Sequence, residues 1–131
     1  MKKVLFICVH NSGRSQMAEA FIKNMSGGLI AAESAGTIPG DEVNPTVAKA
    51  MLEKGIDISK NQPKLLTQEM VDGANKVITM GCAMDEACPA VFVPSEDWGL
   101  DDPKDKPIED VRKIRDVIES KIKVLMKELQ S

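Results

Sequence analysis

A cysteine and an arginine lie six positions apart where an apolar stretch gives way to a helical pattern. The apolar stretch reaches Cys8, and Arg14 opens the helical pattern after five intervening residues. Backbone N–H groups of a loop that enters a helix can surround an anion, and the helix N-terminus adds positive potential. Arg14 can place two donors on the oxygens of such an anion. The spacing therefore predicts a loop that binds a tetrahedral oxyanion, formed by Val9, His10, Asn11, Ser12, Gly13 and Arg14.

The thiol of Cys8 is the candidate nucleophile for this anion. The positive field of the loop and helix is expected to favour its thiolate form, and Ser15 is placed to donate a hydroxyl hydrogen bond to the sulfur. We interpret the segment as one in which sulfur attacks the central atom of a bound tetrahedral oxyanion. A buried core thiol at Cys8 and a surface ion pair at Arg14 are the alternative explanations.

Length and charge narrow the class of protein. The chain has 131 residues, which suits one domain over residues 1–131. Its 17 basic and 20 acidic residues give a net charge of −3, which leaves no basic surplus for a nucleic-acid partner. The apolar stretch over residues 4–9 is too short for a signal peptide or a membrane span. We expect a cytoplasmic protein without a nucleic-acid or membrane partner.

Strand and helix patterns alternate along the chain. Apolar strand patterns cover residues 4–8, 29–34, 75–81 and 90–94, and helical patterns cover 14–25, 45–55 and 107–129. This alternation predicts an α/β fold with a parallel sheet and helices on both faces. The last helix is expected to bury an apolar stripe formed by Ile108, Val111, Ile114, Val117, Ile118, Ile122, Leu125 and Leu129.

Three segments with reactive side chains follow the carboxyl ends of predicted strands. Cys8 ends the first strand, Cys82 and Cys88 follow the strand over 75–81, and residues 98–103 follow the last one. In parallel sheets, ligands bind beyond these ends. We therefore expect the three segments to converge on one rim of the sheet.

The separation of Cys82 and Cys88 restricts how they can react with each other. In a regular helix six residues rise about 9 Å and turn to nearly the opposite face, whereas a disulfide needs Cα atoms within about 7 Å. The two can bond only if the segment is a loop or unwinds. A zinc site would need four ligands, and a role as small buried hydrophobic residues is the other alternative. We predict no metal ion and no organic cofactor.

The segment "VLFICVHNSGRSQMAEAF" resembles the active-site segment of the low-molecular-weight protein tyrosine phosphatase family. It is more similar still to the arsenate reductase branch, in which a C-x-x-N-S-x-R-S loop opens the chain. The resemblance continues through "SAGT", "GIDIS" and "DWGLDDP", and implies a four-stranded parallel sheet in a flavodoxin-like, three-layer architecture. It also implies that Cys8 is the nucleophile, Arg14 binds the oxyanion, Asn11 braces the loop and Ser15 activates the thiol.

The same resemblance implies a relay of three cysteines that reduces arsenate. Cys8 would form an adduct with arsenate, Cys82 would attack that sulfur and expel arsenite, and Cys88 would take over the disulfide for reduction by thioredoxin. The chain departs from the best-known thioredoxin-coupled members in two ways. It has one residue fewer between the resolving cysteines, and Gly13 stands where those members have a further cysteine.

The resemblance also assigns a general acid. The family uses the aspartate directly before a proline, which matches Asp102 ahead of Pro103. A proline pushes its predecessor toward an extended shape, which can aim a carboxyl group into the site as a proton donor. Asp101 is the neighbour to compare with it, and a solvated acidic loop is the alternative.

The residues around the site indicate a small substrate. The chain has no tyrosine and one tryptophan, Trp98, whereas family phosphatases usually frame their entrance with aromatic residues. We therefore expect arsenate, with phosphate or sulfate as analogues, and not an aryl ester. Trp98 is interpreted as a packing residue, and His10 is expected to point outward from the loop. Glu19 and Ser34 resemble positions that hold a potassium ion in some relatives, but no ion is predicted here.

Three functions remain as alternatives to an arsenate reductase. A phosphatase of the same fold would use Cys82 and Cys88 to protect Cys8 from oxidation. A sugar-transport carrier would keep a phosphorylated cysteine, but Arg14 and Asp102 count against it because they would hasten its breakdown. A pure interaction module leaves the chemistry of the loop unexplained.

Overall fold

The computed structural model describes residues 2–80, 96–101 and 103–130, and within them a parallel sheet lies between helices. The strands are β1 (Lys3–Cys8), β2 (Ala31–Gly36), β3 (Lys76–Thr79) and β4 (Glu96–Asp97), in the order β2-β1-β3-β4. All three neighbouring pairs are parallel. The helices are α1 (Arg14–Met25), α2 (Pro45–Leu52), α3 (Gln68–Asp72) and α4 (Ile108–Gln130). The predicted α/β fold with a four-stranded parallel sheet is confirmed.

The side chains of β1 alternate between two hydrophobic clusters, one on each face of the sheet. Val4, Phe6 and Cys8 belong to the larger cluster, which α1, α2 and α4 cover. Leu5 and Ile7 belong to the smaller cluster, which α3 and its flanking residues cover. A strand that is buried on both faces has the continuous apolar sequence of β1. The expected three-layer arrangement follows directly from this alternation.

The bounds of β2 differ from the predicted ones. The apolar pattern over 29–34 predicts a strand there, but β2 begins at Ala31 and ends at Gly36. Leu29 is 72% exposed and follows the turn at Gly27 and Gly28, both of which have positive φ angles. The strand predicted over 90–94 lies outside the described residues.

Two short elements carry little apolar signal in the sequence. The fourth strand of the described sheet is the exposed pair β4, which pairs with β3 through Ile78 and Thr79. The short helix α3 was not predicted, although Thr67 caps it by accepting a hydrogen bond from the Met70 N–H. Such elements depend on their neighbours more than on their own apolar residues.

The start of α2 lies where the helical pattern over 45–55 predicts it. Asn44 precedes Pro45, and its Oδ1 accepts a hydrogen bond from the Thr46 N–H at 2.9 Å. Proline suits the first helical position because its missing N–H would have no partner there. None of the described helices is both long enough and apolar enough to span a membrane.

The predicted stripe of α4 is buried at its centre, with one error and one omission. Val111, Ile114, Ile118, Ile122 and Leu125 are buried, as expected from their spacing. Val117 was expected to be buried too, but it is 46% exposed because it lies at the edge of the buried face. The predicted stripe also omitted a buried arginine, which lies on the same face of α4 as Val111 and Ile118.

That buried arginine, Arg115, joins the end of α2 to α4. Its Nη1 donates to Ala50 O at 2.8 Å and to Glu53 Oε1 at 2.7 Å, and its Nε donates to Asp116. Arg112 also donates two hydrogen bonds to Glu53, from Nη2 to Oε2 at 2.6 Å and from Nε to Oε1 at 3.0 Å. Hydrogen bonds from Arg112 and then Arg115 lower the pKa of Glu53 from 4.5 to about 2.

The Glu53→Gln variant is expected to melt at a lower temperature than the parent protein at neutral pH. Because the folded state lowers this pKa, the ionised carboxylate adds stability above its unfolded pKa of 4.5, and that stability is lost as pH falls toward about 2. The difference in Tm between the two proteins should shrink across this range. Thermal denaturation followed by circular dichroism at a series of pH values measures it.

The matched control is Glu69→Gln. Glu69 is exposed on α3 and forms no ion pair within the described part of the chain. Its Tm should stay close to that of the parent protein at every pH. A Glu53→Gln loss that did not diminish in acid would contradict the role of the two guanidinium groups.

Candidate active site

The sulfur of Cys8 lies at the carboxyl end of β1, buried beneath the loop that leads into α1. The backbone N–H of Asn11 donates to Sγ at 3.1 Å, and Ser15 Oγ lies 2.8 Å from the same atom. Either atom of the second pair could be the donor on distance alone. The direction of that hydrogen bond therefore depends on the other contacts of Ser15.

A chain of contacts from Lys64 settles this direction. The backbone N–H of Lys64 can only donate, and it lies 2.8 Å from Asn11 Oδ1, so the oxygen of the Asn11 amide must face it. The amide nitrogen then faces Ser15 Oγ at 2.7 Å and donates to it. A hydroxyl oxygen can accept two hydrogen bonds, but a Cys8 thiolate has no hydrogen to give, so in that state Ser15 Oγ accepts from Asn11 and donates its own hydrogen to Cys8 Sγ. The sulfur therefore receives two donors, which is the arrangement that a thiolate accepts.

Asn11 is the residue through which the loop is held. It is fully buried and has a φ of 51°, in the left-handed region that asparagine adopts more readily than most residues. Gln16 Nε2 donates to the main-chain and side-chain oxygens of Asn11, at 3.1 and 3.2 Å. The brace that the resemblance implies for Asn11 is thus present as five hydrogen bonds, counting those to Cys8, Ser15 and Lys64.

The carbonyl groups of the loop are turned away from its centre. Val9 O accepts from Ile38 N at 2.9 Å, His10 O from Gly40 N at 2.9 Å, and Ser12 O from Asn44 N at 2.8 Å. In a trans peptide the C=O and the following N–H point in opposite directions. Each outward carbonyl therefore turns the next N–H group toward the inside of the loop, where an anion would bind.

Gly36 allows this loop to pack against the end of β2. In the register of the sheet Gly36 lies opposite Cys8. A Cβ atom at position 36 would lie 2.5 Å from Val9 O and 3.0 Å from Asn11 N, which is too close for any side chain. The glycine in "SAGT" therefore has a steric reason to be there, because the loop backbone occupies that space.

Arg14 begins α1 and its side chain is buried. Its Nη1 donates to Leu100 O at 2.9 Å and to Met80 O at 3.2 Å. Met80 follows β3 and Leu100 follows β4, so the guanidinium joins the carboxyl ends of three strands. The loop after Cys8 and the segment after β4 therefore meet at one rim of the sheet, as predicted.

A pocket of about 380 Å³ opens above Cys8. The predicted loop residues in its wall are Cys8, His10, Ser12, Gly13 and Arg14, and the other residues are Gly40, Glu42, Asn44, Pro45, Pro103 and Lys104. A second cavity, of about 520 Å³, lies between β4 and α4 and shares no residue with this pocket. The chemistry predicted from the sequence therefore points to the smaller of the two cavities.

The remaining sequence predictions have different outcomes in the structure. Trp98 packs against Phe6, with ring centroids 5.9 Å apart, so its interpretation as a packing residue is confirmed. His10 was expected to point outward, yet it lines the pocket, with Nδ1 2.9 Å from Ile38 O. Val9 is buried and does not line the pocket.

Three predicted site residues, Cys82, Cys88 and Asp102, lie outside the described residues. Pro103, the neighbour of Asp102, does reach the site, because a Cβ atom at Gly13 would lie 2.9 Å from its Cγ. Sequence reasoning missed Glu42, Lys104 and Lys64. The carboxyl end of β2 was the available signal for Glu42, since loops after parallel strands meet at one rim.

The described residues hold no cluster of His, Cys, Asp and Glu that could bind a metal ion. Glu19 and Ser34, which resemble potassium-binding positions, each have a buried oxygen without a hydrogen-bond partner, Glu19 Oε1 and Ser34 Oγ. However, Lys64 Nζ lies 3.6 Å from Glu19 Oε1 and Lys23 Nζ lies 3.1 Å from Oε2. These residues do not fit a potassium ion, because the carboxylate that would balance its charge already faces two ammonium groups.

The sequence of residues 3–131 matches the family described as low molecular weight phosphotyrosine protein phosphatase. The chain belongs to this family. From the sequence, the match was expected on the loop between Cys8 and Arg14, the candidate nucleophilic thiol and the parallel sheet.

The proteins that are similar to this chain over most of its length include arsenate reductases. Arsenate reductase 2 of Staphylococcus epidermidis is 39% identical over 123 residues, which cover 92% of this chain and 93% of the relative. A solved arsenate reductase in the phosphate-binding state has a TM-score of 0.85 and 36% identity, and 98% of each chain is covered. A thioredoxin-dependent arsenate reductase of Corynebacterium glutamicum has a TM-score of 0.80 and 38% identity, covering 99% of this chain and 62% of that one.

The Gly36→Ala variant is expected to bind oxyanions at least about tenfold more weakly, which corresponds to about 1.4 kcal/mol. Its Cβ would displace Val9 O and Asn11 N, and so would move the inward N–H groups. Protection of Cys8 from iodoacetamide by phosphate, measured as a function of phosphate concentration, gives the affinity.

The Gly40→Ala variant is the control. Gly40 lies in the same segment and lines the same pocket, but a Cβ there would meet its nearest atoms at 3.9 Å, an ordinary contact. Its phosphate affinity should stay within about twofold of the parent value. Equal weakening in both variants would show that the close approach at Gly36 is not what shapes the loop.

Proposed function

We propose that the protein reduces arsenate to arsenite, with Cys8 as the nucleophile and a thiol relay as the source of electrons. The observation that carries this proposal is the convergence of two hydrogen-bond donors on a buried sulfur at the floor of an anion-sized loop. Membership of the family supports the binding and the nucleophilic step. The relatives named arsenate reductases support the choice of arsenic.

In the first step Cys8 Sγ attacks the arsenic of a bound arsenate. The oxygens accept hydrogen bonds from the inward N–H groups of the loop, and Arg14 supplies positive charge. An S–As bond forms and one As–O bond breaks, and the leaving oxygen takes up protons to depart as water. We assign the proton donation to Asp102, by the resemblance of "DDP" to the family pattern. Arsenic remains As(V) in this adduct.

In the second step the thiolate of Cys82 attacks Cys8 Sγ. A disulfide forms between the two sulfurs, and the electron pair of the S–As bond passes to arsenic, which leaves as As(III) in arsenite. Cys88 then attacks Cys82, which forms a Cys82–Cys88 disulfide and returns Cys8 as a thiolate. Two thiols are thereby oxidised for one arsenic reduced by two electrons.

A dithiol must reduce the new disulfide, and we assign this role to thioredoxin. A relative of 38% identity is described as thioredoxin-dependent, which supports the assignment. The cycle needs thiols that are returned to the reduced state, so we place it in the cytoplasm, where such a pool is maintained.

The walls of the pocket agree with a small inorganic substrate. No Phe, Tyr or Trp side chain of the described residues lines it, and His10, Glu42 and Lys104 give it a polar rim. Aryl phosphate esters would therefore lack a surface on which to stack.

Phosphate ester hydrolysis is the second candidate function. A pocket of about 380 Å³ is larger than one tetrahedral anion needs, so it has room for part of an ester. The same loop and the same attack by Cys8 would serve that reaction, with water in place of Cys82 in the second step.

The decisive experiment measures arsenate-dependent oxidation of reductant. The protein is assayed with NADPH and either thioredoxin with its reductase, glutaredoxin with its reductants, or no donor. We expect turnover with thioredoxin only. Absence of arsenate-dependent oxidation with every donor, together with rapid hydrolysis of p-nitrophenyl phosphate, would establish the phosphatase instead.

The Cys82→Ser variant tests the relay. It should form the arsenate adduct on Cys8 once, visible by mass spectrometry, and lose catalytic turnover. Full turnover in this variant would reject the proposed roles. Asp102→Asn should slow the reaction while Asp101→Asn should not, since only Asp102 stands directly before the proline.

A further inference from the structure

Lys64 contacts the site from two directions, through its backbone and through its side chain. Its N–H donates to Asn11 Oδ1 at 2.8 Å, and its C=O accepts from the Gly36 N–H at 2.8 Å. Its Nζ lies 3.6 Å from Oε1 of Glu19, on the adjacent helix α1. One residue therefore joins the end of β2, the first helix and the amide that orients Ser15.

The carboxylate of Glu19 has a strong need for a cation. Glu19 is 7% exposed, and Oε1 has no hydrogen-bond partner. A buried carboxylate oxygen without compensation is costly. Lys23 Nζ serves Oε2 at 3.1 Å, so Lys64 Nζ is the ammonium that faces Oε1. The attraction draws residue 64 toward α1 and thus toward Asn11.

We infer that Lys64 is a positioning residue for the nucleophile: its ammonium, held by Glu19, keeps its backbone N–H on Asn11 and so keeps the Ser15 hydrogen on Cys8. The order in which these hydrogen bonds would change follows from which groups can donate and which can accept. If the Lys64 N–H moves away, only the longer bond from Gln16 Nε2, at 3.2 Å, opposes rotation of the Asn11 amide, which can then present its oxygen to Ser15. Ser15 would then donate to Asn11, and Cys8 would lose one of its two donors.

The side chain of Lys64 is 42% exposed and Lys23 also compensates Glu19, so removal of the Lys64 ammonium should destabilise the fold only modestly. Its effect is expected on the reactivity of one sulfur rather than on unfolding. It also supplies the positive charge that an inorganic cation would otherwise bring to Glu19. Catalysis by this chain should therefore not require potassium.

The inference depends on Cys8 being the reactive thiol of the proposed function, but the test measures that sulfur directly and needs no arsenate turnover. The rate of Cys8 alkylation by iodoacetamide is followed as a function of pH in a Cys82→Ser/Cys88→Ser background, with Tm measured for each protein. Four titratable or charged side chains line the pocket beside Cys8, namely His10, Arg14, Glu42 and Lys104. All four are present in every variant.

Lys64→Met should lower the alkylation rate at neutral pH by about three- to tenfold, the worth of one hydrogen bond, and move the pH profile toward alkaline pH. Lys64→Arg should restore the parent profile, because the charge is kept. Glu19→Gln should give the same loss as Lys64→Met, and it carries the test if the methionine variant folds poorly.

Lys23→Met is the matched control. It removes the other ammonium from the same carboxylate, but Lys23 lies on α1 and has no contact with Asn11. It should alkylate at the parent rate. Equal losses in Lys23→Met and Lys64→Met, or a parent-like Lys64→Met, would overturn the inference. A faster alkylation of Cys8 in the parent protein in potassium chloride than in tetramethylammonium chloride, at equal ionic strength, would also overturn it.

Discussion

The hydrogen bond from the Lys64 N–H to Asn11 Oδ1 is the contact from which the chemistry of the site follows. A backbone N–H has one possible direction, and it imposes that direction on the Asn11 amide. The amide imposes it on Ser15, and Ser15 on the sulfur of Cys8. The links among Asn11, Ser15 and Cys8 are buried, where an unpaired donor or acceptor is expensive, and the link from Lys64 is partly buried. With Cys8 as a thiolate, the network has one arrangement that satisfies its donors, in which the proton of Ser15 points at the Cys8 sulfur.

The same part of the chain also builds the anion-binding surface. Backbone N–H groups of segment 36–44 donate hydrogen bonds to the carbonyl groups of the loop. The geometry of the trans peptide then turns the N–H groups of the loop inward. Gly36 permits the close approach that these bonds need. The guanidinium of Arg14 donates to carbonyl groups after β3 and β4 and adds its positive charge to the same pocket. The loop between Cys8 and Arg14 is thus shaped by the neighbouring strands, and its own sequence supplies only residues that tolerate the shape.

The sequence was sufficient for features that arise from local pattern. A continuous apolar stretch predicted β1, a helical pattern predicted α2, and the spacing of Cys8 and Arg14 predicted the loop between them. It was insufficient where the cause is a contact across the fold. Lys64 meets Asn11 over a separation of 53 residues, and β4 is two exposed acidic residues that pair with β3. Nothing in the local pattern around Lys64 distinguishes it from a surface lysine.

The described pocket serves the first step of a reductase and of a phosphatase equally well. Both need a bound tetrahedral anion, a reactive sulfur and a positive charge, and the roles proposed for Cys8, Arg14 and the loop between them supply these in either case. The two reactions differ in what attacks next. Hydrolysis needs water, whereas reduction needs two electrons, which one thiol cannot supply. A second and a third cysteine after β3 are the chemical addition that a reductase requires, so the choice between the two functions depends on Cys82 and Cys88 rather than on the pocket.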